Sequence, residues 1–158
     1  MTLSRNLKIA AAAALGLATS AVAYAQSMKP EDAITARRAY HRVIALNFGP
    51  LGAMAKGDIP FSVEAFKTNS ARMASVSSMP VLSYYQDGTD TDAGEVKTRA
   101  MPEIWLDWDS FKQKMETMQQ EITKLAEVAQ TGDQGAMKAQ VGATGKSCKS
   151  CHDDFRNK

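Results

Sequence analysis

Two thiols and an imidazole stand together near the end of the chain, in Cys148-Lys149-Ser150-Cys151-His152. The spacing is C-x-x-C-H, the attachment signature of c-type haem. The chemistry needs these residue types in this order. Two thiols add to the two haem vinyl groups, and the adjoining histidine binds the iron. On a helix, Cys148 and Cys151 lie at i and i+3, and Cys148 and His152 at i and i+4, so all three share one face. Two covalent tethers and one axial ligand can then meet a single porphyrin without unwinding the backbone. His152 is expected to coordinate through a neutral ring nitrogen, leaving the other free to donate outward. The cofactor this assigns is one covalent haem c.

Other uses of the same residues fit less well. Two cysteines in an exported chain ordinarily suggest a disulfide, but these are three apart and His152 follows at once. A redox C-x-x-C belongs at a strand-to-helix junction of a βαβ pattern, and no such pattern is present. Zinc needs further ligands, and His41 is the only other imidazole. A haem-free metal or redox module is the competing reading from another class.

Arg156 is i+4 from His152 and so stands beside that ring. There it could weaken the histidine's push onto iron or donate to a ligand on the proximal side; alternatively it complements the helix dipole. Only six residues follow the motif, so a second axial ligand must come from another helix. The candidates are His41 and the eight methionines left after the leader, most of them at packing positions. His41 falls on an apolar seam, where it is either a hydrogen-bonded core residue or a sixth ligand. Arg37 is on the same seam one turn earlier. A buried unpaired guanidinium is costly, and a haem propionate accepts a bidentate arginine. Arg37 is therefore assigned to a propionate, against the alternative of a surface arginine paired with an acid.

Four helical segments are needed to position these groups. The first starts near Pro30, with Glu31 and Asp32 suiting a helix N-terminus. Its seam is Ile34, Arg37, His41, Ile44 and Phe48, and Gly49-Pro50 is expected to interrupt it. The second runs from about Phe61 to Ser78, with Phe66, Met73 and Val76 on one face and Pro80 ending it. The third starts near Pro102. Ile104, Trp108, Phe111, Met115, Met118, Ile122, Leu125 and Ala129 follow in steps of four and three, with Gly132 as a stop. The fourth spans about Gln134 to Phe155, with Met137, Val141, Thr144, Cys148, Cys151 and Phe155 in the same rhythm. Gly142 and Gly145 weaken it locally and allow something flat to approach. The link from Met79 to Ala100 holds Asp87-Gly88 and Asp92-Ala93-Gly94 and is expected to cross over the surface. No period-two strand pattern is visible. The fold class is all-α: an antiparallel four-helix bundle with covalently bound haem.

Residues 1–25 have the form of a secretory signal peptide. Arg5 and Lys8 precede an uncharged Ala-rich run, and Ala23-Tyr24-Ala25 is the cleavage site. The run is short for a bilayer span, so no membrane span is expected in the mature chain, 26–158, which fits one domain. Of 19 basic residues two lie in the leader, leaving 17 against 17 acidic. A net-neutral mature chain has no global attraction to nucleic acid or anionic lipid.

With these residues in place the chain resembles the cytochrome c′ family, the class II c-type cytochromes. The carriers are Lys29-Pro30-Glu31-Asp32-Ala33, Arg37, Asn47-Phe48-Gly49, Pro102-Glu103-Ile104-Trp105, and Ser147 through Arg156 around the haem motif. The resemblance spans essentially the whole mature chain. It implies a periplasmic haem protein, commonly a homodimer, with five-coordinate iron that binds nitric oxide and often carbon monoxide. It also implies that Arg156 matches the basic residue beside the proximal histidine and Arg37 the arginine near the propionates. One position departs: an apolar or aromatic residue usually covers the open face of the iron, and His41 falls there. Two functions follow: an electron carrier with His152 and His41 on the iron, and a gas-binding protein in nitric oxide tolerance. The redox partner is not specified. An enzyme is not expected, for there is no Ser/His/Asp set and no phosphate loop.

Overall fold

A computed structural model of the chain describes residues 28–158; the expected signal peptide at residues 1–25 lies outside them. The long helices are α1 (Pro30–Lys56), α2 (Val63–Ser77), α4 (Trp108–Thr131) and α5 (Gln134–Phe155), with the single turn α3 (Glu103–Leu106) leading into α4. Each long helix packs on two others: α1 and α4 both pack against α2 and α5. This is the expected antiparallel four-helix bundle. Among the described residues no helix is long and apolar enough to cross a membrane.

Local chemistry sets the helix ends. Ser62 accepts from the Ala65 amide (3.2 Å) to start α2, and Asp133 accepts from the Gly135 and Ala136 amides to start α5. Gly57 ends α1 at φ 85°, a left-handed conformation that suits glycine. With it, the amides of Gly57 and Asp58 satisfy the carbonyls of Met54 and Ala53.

Three expectations about the elements are corrected. Gly49-Pro50 does not interrupt α1, which continues to Lys56. Proline removes one bond, to the carbonyl of Leu46, and Leu46 is 57% exposed, so water can serve that oxygen. The turn beyond it buries Leu51 and Met54, which outweighs one lost bond. The third segment is not one helix from Pro102. Asp107 leaves helical geometry (φ −128°, ψ 59°) and its side chain caps Ser110, so α4 begins afresh. The seam keeps its register across the break, with Ile104, Phe111, Met115, Met118, Ile122, Leu125 and Ala129 buried and Trp108 half-buried. On α2 the inward face is Phe66, Ser70, Met73 and Ser77, and Val76 is only half-buried.

The link between α2 and α3 is also more than a surface crossover. A 3₁₀ turn at Val81–Tyr84 opens it, and Val81 and Thr89 are fully buried. Its far end joins the end of the chain. The Asn157 amide donates to the Arg99 carbonyl (2.9 Å) and the Met101 amide to the Phe155 carbonyl (3.1 Å).

The flat group at Gly145 is a side chain of the protein itself. A Cβ there would stand 3.7 Å from Cζ of Phe48 on α1, ordinary van der Waals contact, while one at Gly142 would meet nothing within 4 Å. Gly145→Ala should therefore recover helix propensity without displacing Phe48. We expect a gain of about 0.5–1 kcal/mol, read as a higher denaturation midpoint; a loss of stability would mean that Phe48 cannot give.

Candidate haem site

The last three turns of α5 carry Cys148, Cys151 and His152 onto one wall of a cavity of about 790 Å³, in the upper range of pockets that enclose small molecules and cofactors. Arg37 and His41 of α1 line the same cavity, as do Tyr85 of the crossover and Met115 and Met118 of α4. The sequence-predicted groups, Cys148, Cys151, His152, His41, Arg37 and Arg156, thus converge on one space.

The two cysteines form no disulfide with each other, and Cys151 is buried and Cys148 half-buried. Burial pushes both thiols up, Cys151 to about 11 despite the opposing pull of Lys114. A redox C-x-x-C works by the opposite device, a lowered thiol pKa. Among the described residues no three His, Cys, Asp or Glu side chains gather as a metal cluster.

The imidazoles are held neutral. Burial is the main cause at each. It lowers His41 to about 4, with help from the charges of His152, Arg156 and Arg37. It lowers His152 too, with Arg156 next in effect. A neutral ring keeps a lone pair for a metal. His41 Nε2 shares a hydrogen bond of 2.9 Å with the Tyr85 hydroxyl. Arg156 stands where i+4 spacing put it, with Nη1 3.4 Å from Nε2 of His152.

Arg37 is 3% exposed and its guanidinium is met by oxygens of the crossover. Nη1 donates to Thr89 Oγ1 (2.6 Å) and the Tyr84 carbonyl (3.4 Å), and Nη2 to Thr98 Oγ1 (2.7 Å) and the Thr89 carbonyl. No carboxylate lies within salt-bridge distance of it among the described residues. The cost of burying its charge is thus met by neutral acceptors, and Arg37 ties the crossover to α1. Arg37→Ala should cost about 3 kcal/mol, the scale of losing charge-assisted bonds, and loosen the loop. Denaturant unfolding and hydrogen exchange across residues 84–98 check this; an unchanged midpoint would contradict it.

Several site residues were missed in the sequence. Arg38, Arg42 and Arg99 join Arg37 and Arg156 around the cavity. The i, i+4 spacing of Arg38 and Arg42 was a signal for two of them. Tyr85 was hidden in a polar link, where the pair Tyr84-Tyr85 was the one aromatic signal.

The cavity fits a haem by its donor set. Two thiols lie at i and i+3, neutral imidazoles are available, Phe111, Met115 and Met118 give an apolar wall, and arginines suit two propionates. Cys148, Cys151 and His152 are the residues to hold it.

The comparisons with known proteins agree. The family model described as Cytochrome C′ matches residues 32–156. The cytochrome c′ of Halomonas halodenitrificans is 40% identical over 129 residues, covering 81% of this chain and 98% of the relative. Among solved structures, the cytochrome c′ of Thermochromatium tepidum superposes with a TM-score of 0.79 at 26% identity, covering 84% of this chain and 99% of that one. That of Shewanella frigidimarina gives 0.75 at 38% identity, covering 82% and 98%. The chain with this bundle and this thiol–imidazole wall belongs to the cytochrome c′ family and is a protein of covalent haem c.

Proposed function

We propose that the protein is an exported, periplasmic electron carrier in which His152 is the proximal iron ligand and His41 the sixth. The observation that carries this reading is that His41 and His152 line one cavity with both thiols between the same helices. When bound, haem supplies a one-electron ferric–ferrous couple and, where one face of the iron is open, a place for a diatomic gas. The chain does the rest. Cys148 and Cys151 fix the ring in the bundle, and the apolar side chains of α4 keep water from it. The arginines at the edge, Arg38, Arg42 and Arg99, would meet the propionates. Arg37, expected on a propionate, holds the crossover against α1, and Arg156 adds a fixed positive charge beside the His152 ring. Two like nitrogen ligands suit both oxidation states, so little rearrangement accompanies electron transfer. The test is the absorption spectrum of the holoprotein in each state. A low-spin spectrum retained on reduction supports a carrier; high-spin iron in both states overturns it.

A second reading has its own support. His41 is hydrogen-bonded to Tyr85, which favours an iron face left open to gas. A solved relative, 36% identical, is a nitric oxide complex of a cytochrome c′ variant from Alcaligenes xylosoxidans. The role is then gas binding and nitric oxide tolerance.

Export rests on residues 1–25, and 26–158 is the mature domain. A homodimer is favoured by the exposed Val43 (39%) and Leu46 (57%) on α1. One solved relative is a cytochrome c′ with ligand-controlled dimer dissociation.

A further inference from the structure

Tyr85 is held from several sides at once. Its ring meets the edge of Phe111 with centroids 4.7 Å apart and lies 6.4 Å from the Trp105 ring. The Arg37 guanidinium sits 4.9 Å from its centroid, and Trp105 Nε1 donates to its backbone carbonyl at 3.2 Å. A ring fixed in this way gives its hydroxyl little choice of direction. That hydroxyl stands 2.9 Å from Nε2 of His41.

Nε2 is the outer nitrogen of the imidazole and has one in-plane site. It can serve the phenol or a metal, and not both together. We propose that Tyr85 is a positioning residue, a dock that draws His41 away from the iron, so that access of a gas ligand is set by competition between the phenol and the iron for one nitrogen. The inference rests on the reading of His41 as sixth ligand. It adds the device that decides how much of the protein has that ligand off. Only the fraction with His41 docked has an open iron face, and the apparent gas-binding rate scales with that fraction. One hydrogen bond is worth about 2- to 10-fold in such a population.

Tyr85→Phe removes the hydroxyl and keeps the ring among Phe111, Trp105 and Arg37. The experiment measures carbon monoxide association with ferrous holoprotein, and the ferric spin state, in wild type, Tyr85→Phe, His41→Ala and the double variant. The expected result is a more low-spin Tyr85→Phe that binds carbon monoxide about 2- to 10-fold more slowly. The double variant should match His41→Ala, because without the imidazole there is nothing to dock. Overturning results are separable. If His41→Ala moves spin state and rate while Tyr85→Phe moves neither, or slows binding equally when His41 is absent, the dock is wrong and the ligand reading stands. If His41→Ala moves nothing, the ligand reading falls and takes the dock with it.

Discussion

With Cys148 and Cys151 both changed to alanine, the protein should release its haem into acidified organic solvent, where wild type keeps it. Haem staining after denaturing electrophoresis should go from full to none. Each single variant should keep one tether and stain weakly or in part. The reason is geometric: the two thiols lie one turn apart on the same cavity wall, and they are the chain's only cysteines. The fold should suffer as well. Without haem the apolar wall of Phe111, Met115 and Met118 loses the ring it packs against and meets water instead, so the bundle should loosen there and its thermal transition should fall and broaden. A double variant that keeps its pigment in acid solvent would contradict the account.

The second large effect belongs to His41. His41→Ala should move the ferric iron from low spin toward high spin and speed nitric oxide binding. If the ligand is off in about 1–10% of wild-type molecules, a usual range for a minor state, opening the face permanently raises the rate about 10- to 100-fold. Stopped-flow mixing of nitric oxide with the ferrous protein measures it. A structural role alone, through the bond to Tyr85, would lower stability without this change in rate. An unchanged rate with high-spin wild type removes His41 from the iron.

The helix α4 was the most legible element, because its seam repeats without interruption and its burial follows that repeat. The haem wall was legible for a different reason: Cys148, Cys151 and His152 are local on one helix, so spacing alone puts them on one face. What was hidden depended on distant partners. Arg37 was recognised as buried and in need of acceptors. Those acceptors, Thr89 and Thr98, lie 52 and 61 residues away on a link that composition marks as solvent-facing. Tyr85 was lost for the same reason, since nothing local shows that a turn-rich segment will fold inward against His41. Pro50 misled because its penalty is local, while the burial of Leu51 and Met54 that outweighs it is tertiary. Asp107 misled in the opposite sense: an uninterrupted seam concealed a break that only the backbone reveals.

The most direct test is low-temperature electron paramagnetic resonance of the ferric holoprotein at neutral pH. Two imidazoles on the metal predict a rhombic low-spin signal that His41→Ala abolishes. An axial high-spin signal in wild type, identical in the variant, would contradict the pairing of His41 with His152 across the cavity.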